Sequence, residues 1–200
     1  MRLLVFGASG RTGKRVVTLA HARALQVATF VRDATRAPPE SSEAHVGDVV
    51  RGADVEAAIR ADDVVISCLG GSLSAGIENV VRAMARVGAR RFVGVVGAGV
   101  LQFDAHTLRS ERPDYPVMFE QIGADHRRVF ELLSQKSLDW TLVCTPRLVE
   151  GDATHAMLRQ SDYLPDGTMA VTTGDVAALL VHEALLSEGS GRIGVNQPHA

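Results

Sequence analysis

Three glycines, Gly7, Gly10 and Gly13, recur at three-residue spacing directly behind the apolar run Leu3, Leu4, Val5 and Phe6. A helical pattern begins at once, with Val16, Val17 and Ala20 on one side. A glycine turn between a buried strand and a helix makes an anion site. The first amides of a helix have no intrahelical acceptor and carry partial positive charge, so a diphosphate can rest on them. Gly7 is expected to form the tight turn and Gly10 to let a phosphate reach the backbone. Gly13 is expected to let the helix pack close on the strand. A phosphate loop of the ATP-binding kind would need glycine at position 8 and Ser or Thr after Lys14. The chain has Ala8 and Arg15 there, so that chemistry is excluded.

A second chemical feature follows the run Val27 to Val31, where Arg32 and Asp33 stand. In dinucleotide sites this strand end meets the adenosine ribose. An acid there selects NAD through the ribose hydroxyls, whereas an arginine pairs with the 2′-phosphate of NADP. Arg11 and Arg36 are candidates to reach the same phosphate. Asp33 argues the other way, since its carboxylate could serve the 2′-hydroxyl of NAD. One charge-assisted contact is worth about 1.5–3 kcal/mol, so Arg32 with one helper favours NADP. Asp48, in Gly47-Asp48-Val49, reads either as a partner for the adenine amino group or as a turn residue. Leu69-Gly70-Gly71 closes a further apolar run, where glycine lets a cofactor come close. Gly94 to Gly99 has no helix behind it and reads as a glycine floor beneath the nicotinamide.

The elements that must position these residues follow from periodicity. Strands are expected at 3–6, 27–31, 44–46, 64–69, 92–96 and 140–144, with a last one at Ile193 and Val195. Helices are expected after Gly13, at 54–60, 74–87 and 122–134, and from a capping Asp175 to about Leu186. Alternation of this kind implies an α/β fold, a Rossmann-like doubly wound parallel sheet in three αβα layers. A single domain spans residues 1–200. Two segments without periodicity, 97–120 and 148–173, are expected to be irregular and to wall a substrate site. The ligand belongs beyond the carboxyl ends of the strands, at the switch point of the strand order.

Composition narrows the classes. With 46% hydrophobic and 22% charged residues, the chain reads as an ordinary soluble globular protein. A net charge of −2 gives no reason to expect nucleic acid or an anionic membrane as partner. No apolar run approaches the roughly 18 residues of a membrane span. With the first strand starting at Arg2, no targeting segment is expected, and the cytoplasm is the expected location. Cys68 and Cys144 both end expected strands, which argues against a disulfide framework. The seven histidines lack partners at ligand spacing, so no metal is expected. A monomer or small homo-oligomer is expected.

Gly7-Ala-Ser-Gly-Arg-Thr-Gly13, Val31-Arg32-Asp33, His45-Val-Gly-Asp-Val49 and Leu138-Asp-Trp-Thr141 resemble the atypical short-chain dehydrogenases. The likeness is strongest to the flavin reductase/biliverdin-IXβ reductase branch and weaker to the NmrA-like redox-sensing proteins. It covers essentially the whole chain, above all residues 1 to about 90. It implies an NADP-binding Rossmann domain that passes hydride from NADPH to a small planar acceptor. A flavin (FMN or FAD as substrate) or a tetrapyrrole would serve. The implied cofactor positions are Gly7, Ser9, Gly10, Arg11, Thr12, Gly13, Arg32, Arg36, Asp48, Val49, Leu69 and Gly70. Gly97 and Pro146 would lie near the nicotinamide.

Asp125-His126 matches an Asp-His pair of that branch, and Thr145-Pro146-Arg147 falls where the branch has Pro-Pro-His. Two departures stand out. The branch's serine after the fifth strand is missing from Val96-Gly97-Ala98-Gly99, and its histidine is replaced by Arg147. The Tyr-x-x-x-Lys pair is also absent, since Phe119 and Gly167 lie four residues beyond Tyr115 and Tyr163. Arg147 and His126 are therefore the candidate catalytic groups. Arg147 would contact the cofactor or stabilise charge on the reduced acceptor, and His126 would contact the cofactor or donate a proton. Phe103, Tyr115, Met118 and Phe119 would form an apolar face for a planar ring, or a lid packed on the core. A non-catalytic NADP(H)-binding redox-sensing regulator of NmrA type is the alternative function. An isomerase or epimerase on the same fold is a third.

Overall fold

The structure, a computed structural model, describes residues 1–71, 73–189 and 191–199. Its first half alternates strand and helix: β1 (Arg2–Phe6), α1 (Arg11–Ala22), β2 (Val27–Val31), β3 (Glu43–Val46), α2 (Gly52–Ala58), β4 (Asp63–Ser67) and α3 (Leu73–Val87). Then follow β5 (Arg91–Gly97), α4 (Glu120–Ser134), β6 (Asp139–Thr145), β7 (Arg147–Val149), β8 (Leu158–Ser161), β9 (Ala170–Thr172), α5 (Thr173–Ala184) and β10 (Gly191–Asn196).

Eight strands form one sheet in the order β3-β2-β1-β4-β5-β6-β10-β8. Every pairing is parallel except β10 with β8. The order reverses between β1 and β4, whose register pairs Phe6 with Ser67. That is the switch point of a Rossmann-like doubly wound fold.

Successive strand residues point to opposite faces, and both faces are buried. Leu4, Phe6, Phe30, Val65 and Phe92 pack under α2, α3 and α4 through Val55, Ile77, Met84 and Leu133. Leu3, Val5, Ile66 and Val93 pack under α1 and α5 through Val16, Val17, Val176 and Leu180. Each fully buried Leu, Val or Phe contributes roughly 1.5–3 kcal/mol relative to exposure. Three layers result.

A buried ion cluster joins the amino ends of three strands, opposite to the ligand end. The Arg2 guanidinium donates to both Asp63 carboxylate oxygens at 2.7 and 2.8 Å and to Glu43 at 2.6 Å. It also donates to the Ala58 carbonyl at 2.9 Å, which brings in α2.

Two expectations need correction. Residues 148–173 are not irregular throughout: β7 pairs with β9 in a separate parallel ribbon, and β8 closes the sheet edge. These strands have only three or four residues, and all four of β8 are exposed, so no apolar alternation announces them. The cap of α5 is Thr172 rather than Asp175. Thr172 accepts the Asp175 amide at 3.0 Å and donates its hydroxyl to the Asp175 carboxylate at 2.9 Å. Residues 98–119 hold three short 3-10 turns, at Ala98–Val100, Arg109–Glu111 and Val117–Phe119.

Candidate functional site

The turn between β1 and α1 is shaped by close backbone approach. Gly7 has φ +73°, and a Cβ there would stand 2.5 Å from the Cys68 carbonyl oxygen of the neighbouring strand end. A Cβ on Gly13 would stand 2.2 Å from the Gly7 oxygen and 2.8 Å from the Ala8 Cα. Only glycine lets α1 start this close to the turn. Gly10 is the helix N-cap, no side chain caps the helix, and no acidic residue sits in its first turn. The amides of Arg11, Thr12 and Gly13 therefore lack intrahelical acceptors, and the helix's own first turn sets no carboxylate against them. Ser9 is half-buried, Thr12 buried and Arg11 exposed.

Beside this turn, at the end of β4, lie Leu69 and Gly70. A Cβ on Gly70 or Gly71 would meet nothing within 4 Å, so open space faces the chain there. Two glycine turns thus lie side by side at the switch point. Cys68 adds no thiolate chemistry to it, because burial pushes the thiol up to about 12.

At the end of β2, Arg32 is exposed and has no hydrogen bond or ion pair among the described residues. Asp33 is engaged: its Oδ1 accepts the Thr35 amide at 2.9 Å and the Thr35 hydroxyl at 2.8 Å. Those bonds hold its pKa below the ordinary carboxylate value. Arg36, also exposed, sits in the turn that Asp33 caps. Arg11 lies 3.8 Å from Glu150, which also pairs with Arg15 at 3.3 Å. Nothing in the sequence singled out Glu150, because its partners lie far away along the chain.

Asp48 has turn work to do. Its Oδ1 accepts the Val50 amide at 3.2 Å, and its own amide donates to Asp54 at 2.9 Å. The Val49 carbonyl accepts from Asn79 at 3.0 Å. A Cβ on Gly76 of α3 would lie 2.9 Å from a Val49 methyl carbon, so Val49 packs on that helix.

The remaining candidates gather at the ends of β5 and β6, where Gly97 is in register with Thr145. The Gly97 amide donates to His126 Nδ1 at 2.9 Å, which assigns the imidazole proton to Nε2. Burial lowers the His126 pKa, and the adjacent Asp125 carboxylate opposes that shift. Asp125 itself accepts the Leu73 amide at 2.9 Å and the Ser74 amide at 3.4 Å, and also accepts the Ser74 hydroxyl. One stretch of α4 therefore stitches the start of α3 to the end of β5. Pro146 is half-buried and Arg147 exposed at the head of β7. The Arg147 amide donates to Met169 at 3.2 Å, while its guanidinium has no ion pair among the described residues. No hydrogen bond joins His126 to Arg147.

The four proposed wall residues do not form one apolar face. The Tyr115 hydroxyl lies between Gly99 and Gly123, at 2.8 and 3.1 Å from where their Cβ atoms would be. Phe103 is covered by Arg112, whose guanidinium carbon is 3.8 Å from the ring centroid. Met118 and Phe119 are exposed, Met118 at 81%.

Two open, shallow clefts lie elsewhere. One of about 210 Å³ is lined by His155, Met157, Arg159, Asp175, Ala178, Leu179 and His182. The other, about 250 Å³, is lined by Leu138, Asp139, Trp140, Gly189 and Gly191. Neither includes a glycine-turn residue. Among the described residues no three His, Cys, Asp or Glu side chains converge to hold a metal ion. No helix among them is long and apolar enough to cross a membrane.

A family profile described as NAD(P)H-binding matches residues 7–185. Among solved structures, ChuY, an anaerobillin reductase from Escherichia coli O157:H7, superposes with TM-score 0.85 at 23% identity, over 99% of this chain and 98% of that one. A candidate NADH-flavin reductase from Streptococcus pneumoniae TIGR4 gives TM-score 0.82 at 24% identity, over 98% and 99%. A candidate epimerase from Bacteroides thetaiotaomicron gives 0.87 at 18% identity, over 100% and 98%. At these identities the likeness is one of fold. The profile match starts at the first glycine of the turn and runs through α5, so the chain belongs to the NAD(P)H-binding family and takes a nicotinamide nucleotide.

Proposed function

We propose that the protein is an NADPH-dependent oxidoreductase of flavin-reductase type, passing hydride to a flavin or a similar planar acceptor. The observation that carries the cofactor choice is the pair Arg32 and Asp33. The arginine is free, while Oδ1 of the adjacent carboxylate is held by Thr35. The fold likeness to an anaerobillin reductase and to a candidate NADH-flavin reductase supports the acceptor class.

The residues present fit the nucleotide. The uncapped start of α1, with Gly7, Ser9, Gly10, Thr12 and Gly13, would hold the diphosphate. Arg32, helped by Arg36 and Arg11, would take the 2′-phosphate, and Asp48 and Val49 the adenine. Leu69 and Gly70, with open space beside the glycine, would border the nucleotide. Gly97 and Pro146 would border the nicotinamide. When bound, the nicotinamide supplies the hydride.

This chain's own groups orient the acceptor and exclude water. His126 holds its proton on Nε2, since Nδ1 is occupied by the Gly97 amide. The unpaired Arg147 guanidinium would stabilise negative charge growing on the reduced acceptor. Neither role needs a Tyr-x-x-x-Lys pair.

The test is direct. Purified protein with NADPH and FMN is followed at the nicotinamide absorbance band, and turnover is expected. Calorimetry should give NADPH the tighter binding, and Arg32→Ala should weaken it about 10- to 100-fold while leaving NADH alone. An unchanged NADPH-to-NADH affinity ratio in Arg32→Ala refutes the cofactor assignment. Gly97-Ala98-Gly99 and Arg147, where the resemblance to the flavin reductase/biliverdin-IXβ reductase branch implies serine and histidine, favour a second reading as a redox-sensing regulator. Tight NADPH binding without turnover of flavins, quinones or linear tetrapyrroles would support it.

A further inference from the structure

Residues 98–119 form a built shelf beside the end of β5. The Arg109 amide donates to the Leu101 carbonyl at 2.8 Å, which folds the turn Arg109–Glu111 back onto the strand end. Glu111 receives the Leu108 amide at 2.8 Å and pairs with Arg127 of α4 at 3.1 Å. A Cβ on Gly99 would lie 3.2 Å from the Ser110 Cβ and 2.8 Å from the Tyr115 hydroxyl. The slot that takes Tyr115 begins two residues beyond Gly97 and one helical turn before His126.

This shelf holds donors with nothing to donate to. Ser110 Oγ is buried without a partner. The Tyr115 hydroxyl has no hydrogen bond among the described residues. Arg109 is half-buried and has neither ion pair nor hydrogen bond through its guanidinium. The segment's three carboxylates are all engaged elsewhere. Asp104 accepts the His106 and Thr107 amides, Glu111 binds Arg127, and Asp114 binds Arg112 at 2.5 Å. Burial and the nearby Arg112 charge act against the charged form of Arg109 more strongly than Tyr115 and Asp114 favour it, and no carboxylate among the described residues lies within ion-pair distance of it. Buried polar groups are nearly always satisfied, and a half-buried cation without a counter-ion is costly.

We propose that Arg109, Ser110 and Tyr115 form a subsite for an oxyanion, a carboxylate or phosphate carried by the planar acceptor. The inference rests on the acceptor class proposed above and specifies it: the substrate is amphipathic, with a flat ring and an anionic arm. The guanidinium can only donate, and each hydroxyl has an O–H free to turn toward the same group, which suits an oxyanion.

The test compares matched ligands on the full chain saturated with NADP⁺, where no turnover occurs. FMN is set against riboflavin by flavin fluorescence. A linear tetrapyrrole bearing propionates is set against its dimethyl ester by absorbance. The anionic member of at least one pair should bind on the order of tenfold tighter. Which pair discriminates identifies the source as phosphate or carboxylate.

Arg109→Met should abolish that preference, and Ser110→Ala and Tyr115→Phe should each reduce it, with NADP⁺ affinity unchanged. Because Arg109 has no partner to lose, Arg109→Met should melt no lower than the parent. Equal binding of both members in both pairs, or a preference that survives Arg109→Met, overturns the subsite. A lower Tm with the preference intact assigns Arg109 to structure and overturns it as well. Anion preference in a protein that never oxidises NADPH upholds the subsite and removes the hydride-transfer reading. Failure of all four ligands to bind removes both.

Discussion

Substituting alanine at Gly13 and, separately, at Gly10 divides what the glycine turn does for folding from what it does for the nucleotide. Gly13 is inside α1, where Gly→Ala ordinarily stabilises by up to about 1 kcal/mol. Here the new Cβ would lie 2.2 Å from the Gly7 oxygen and 2.8 Å from the Ala8 Cα. Both are backbone atoms that no rotamer change can move. Relief requires α1 to lift by about 1 Å, which loosens Val16, Val17 and Ala20 against the sheet. Overpacking of this kind costs about 1–3 kcal/mol and outweighs the helix-propensity gain. For a chain of this size each kcal/mol shifts Tm by about 2–4 °C, so Gly13→Ala should melt several degrees lower.

Gly10→Ala behaves differently. Its Cβ would meet only the Gly7 oxygen, at 3.2 Å, and its φ of −79° suits alanine. Tm should move by no more than a few degrees. The added methyl stands where a diphosphate would approach, so NADPH affinity should fall at least about tenfold. Differential scanning calorimetry gives the first quantity and titration calorimetry with NADPH the second. A Gly13→Ala variant that melts higher than the parent, as an ordinary helical Gly→Ala would, refutes the close-approach argument. A Gly10→Ala variant with parental affinity removes the diphosphate from this turn.

Three further outcomes are expected. Asp63→Asn leaves the Arg2 guanidinium, whose side chain is only 3% exposed, with Glu43 as its remaining counter-ion, and should cost about 1.5–3 kcal/mol in urea unfolding; nucleotide affinity should hold, because the cluster lies at the opposite strand ends. His126 has a depressed pKa in the fold, so its contribution is complete above the unfolded value of about 6.5 and is lost as pH falls below it. Protonating Nδ1 also removes the acceptor for the Gly97 amide, so His126→Asn should flatten the acid limb of Tm against pH; an equally steep limb in the variant refutes this. Glu150→Gln releases Arg11 from an exposed pair 3.8 Å long, which should tighten NADPH binding by no more than about fivefold, an effect that high salt erases.

The strands of the sheet centre were legible because their signal is local. Leu3 to Phe6, Val27 to Val31 and the apolar run from Val64 are covered on both faces, and such a strand reads as an unbroken apolar run wherever it lies. The glycine turn was legible for a similar reason, since its geometry is set within seven residues. β7, β8 and β9 were not, because strands this short and exposed owe their pairing to partners rather than to their own pattern.

The candidate site divides along the same line. Residue type and spacing alone pointed to a glycine turn suited to an anion behind the first strand, and set Arg32 directly after the second. Tertiary structure decided which of these groups are free to act. It gave Oδ1 of Asp33 to Thr35, drew Glu150 to Arg11, and set Asp125 on the start of α3. It also slid Tyr115 between two glycines and left Arg109 without a counter-ion. A side chain's chemistry belongs to its residue, but its partners are chosen by contacts between segments far apart in sequence, and no local pattern encodes those.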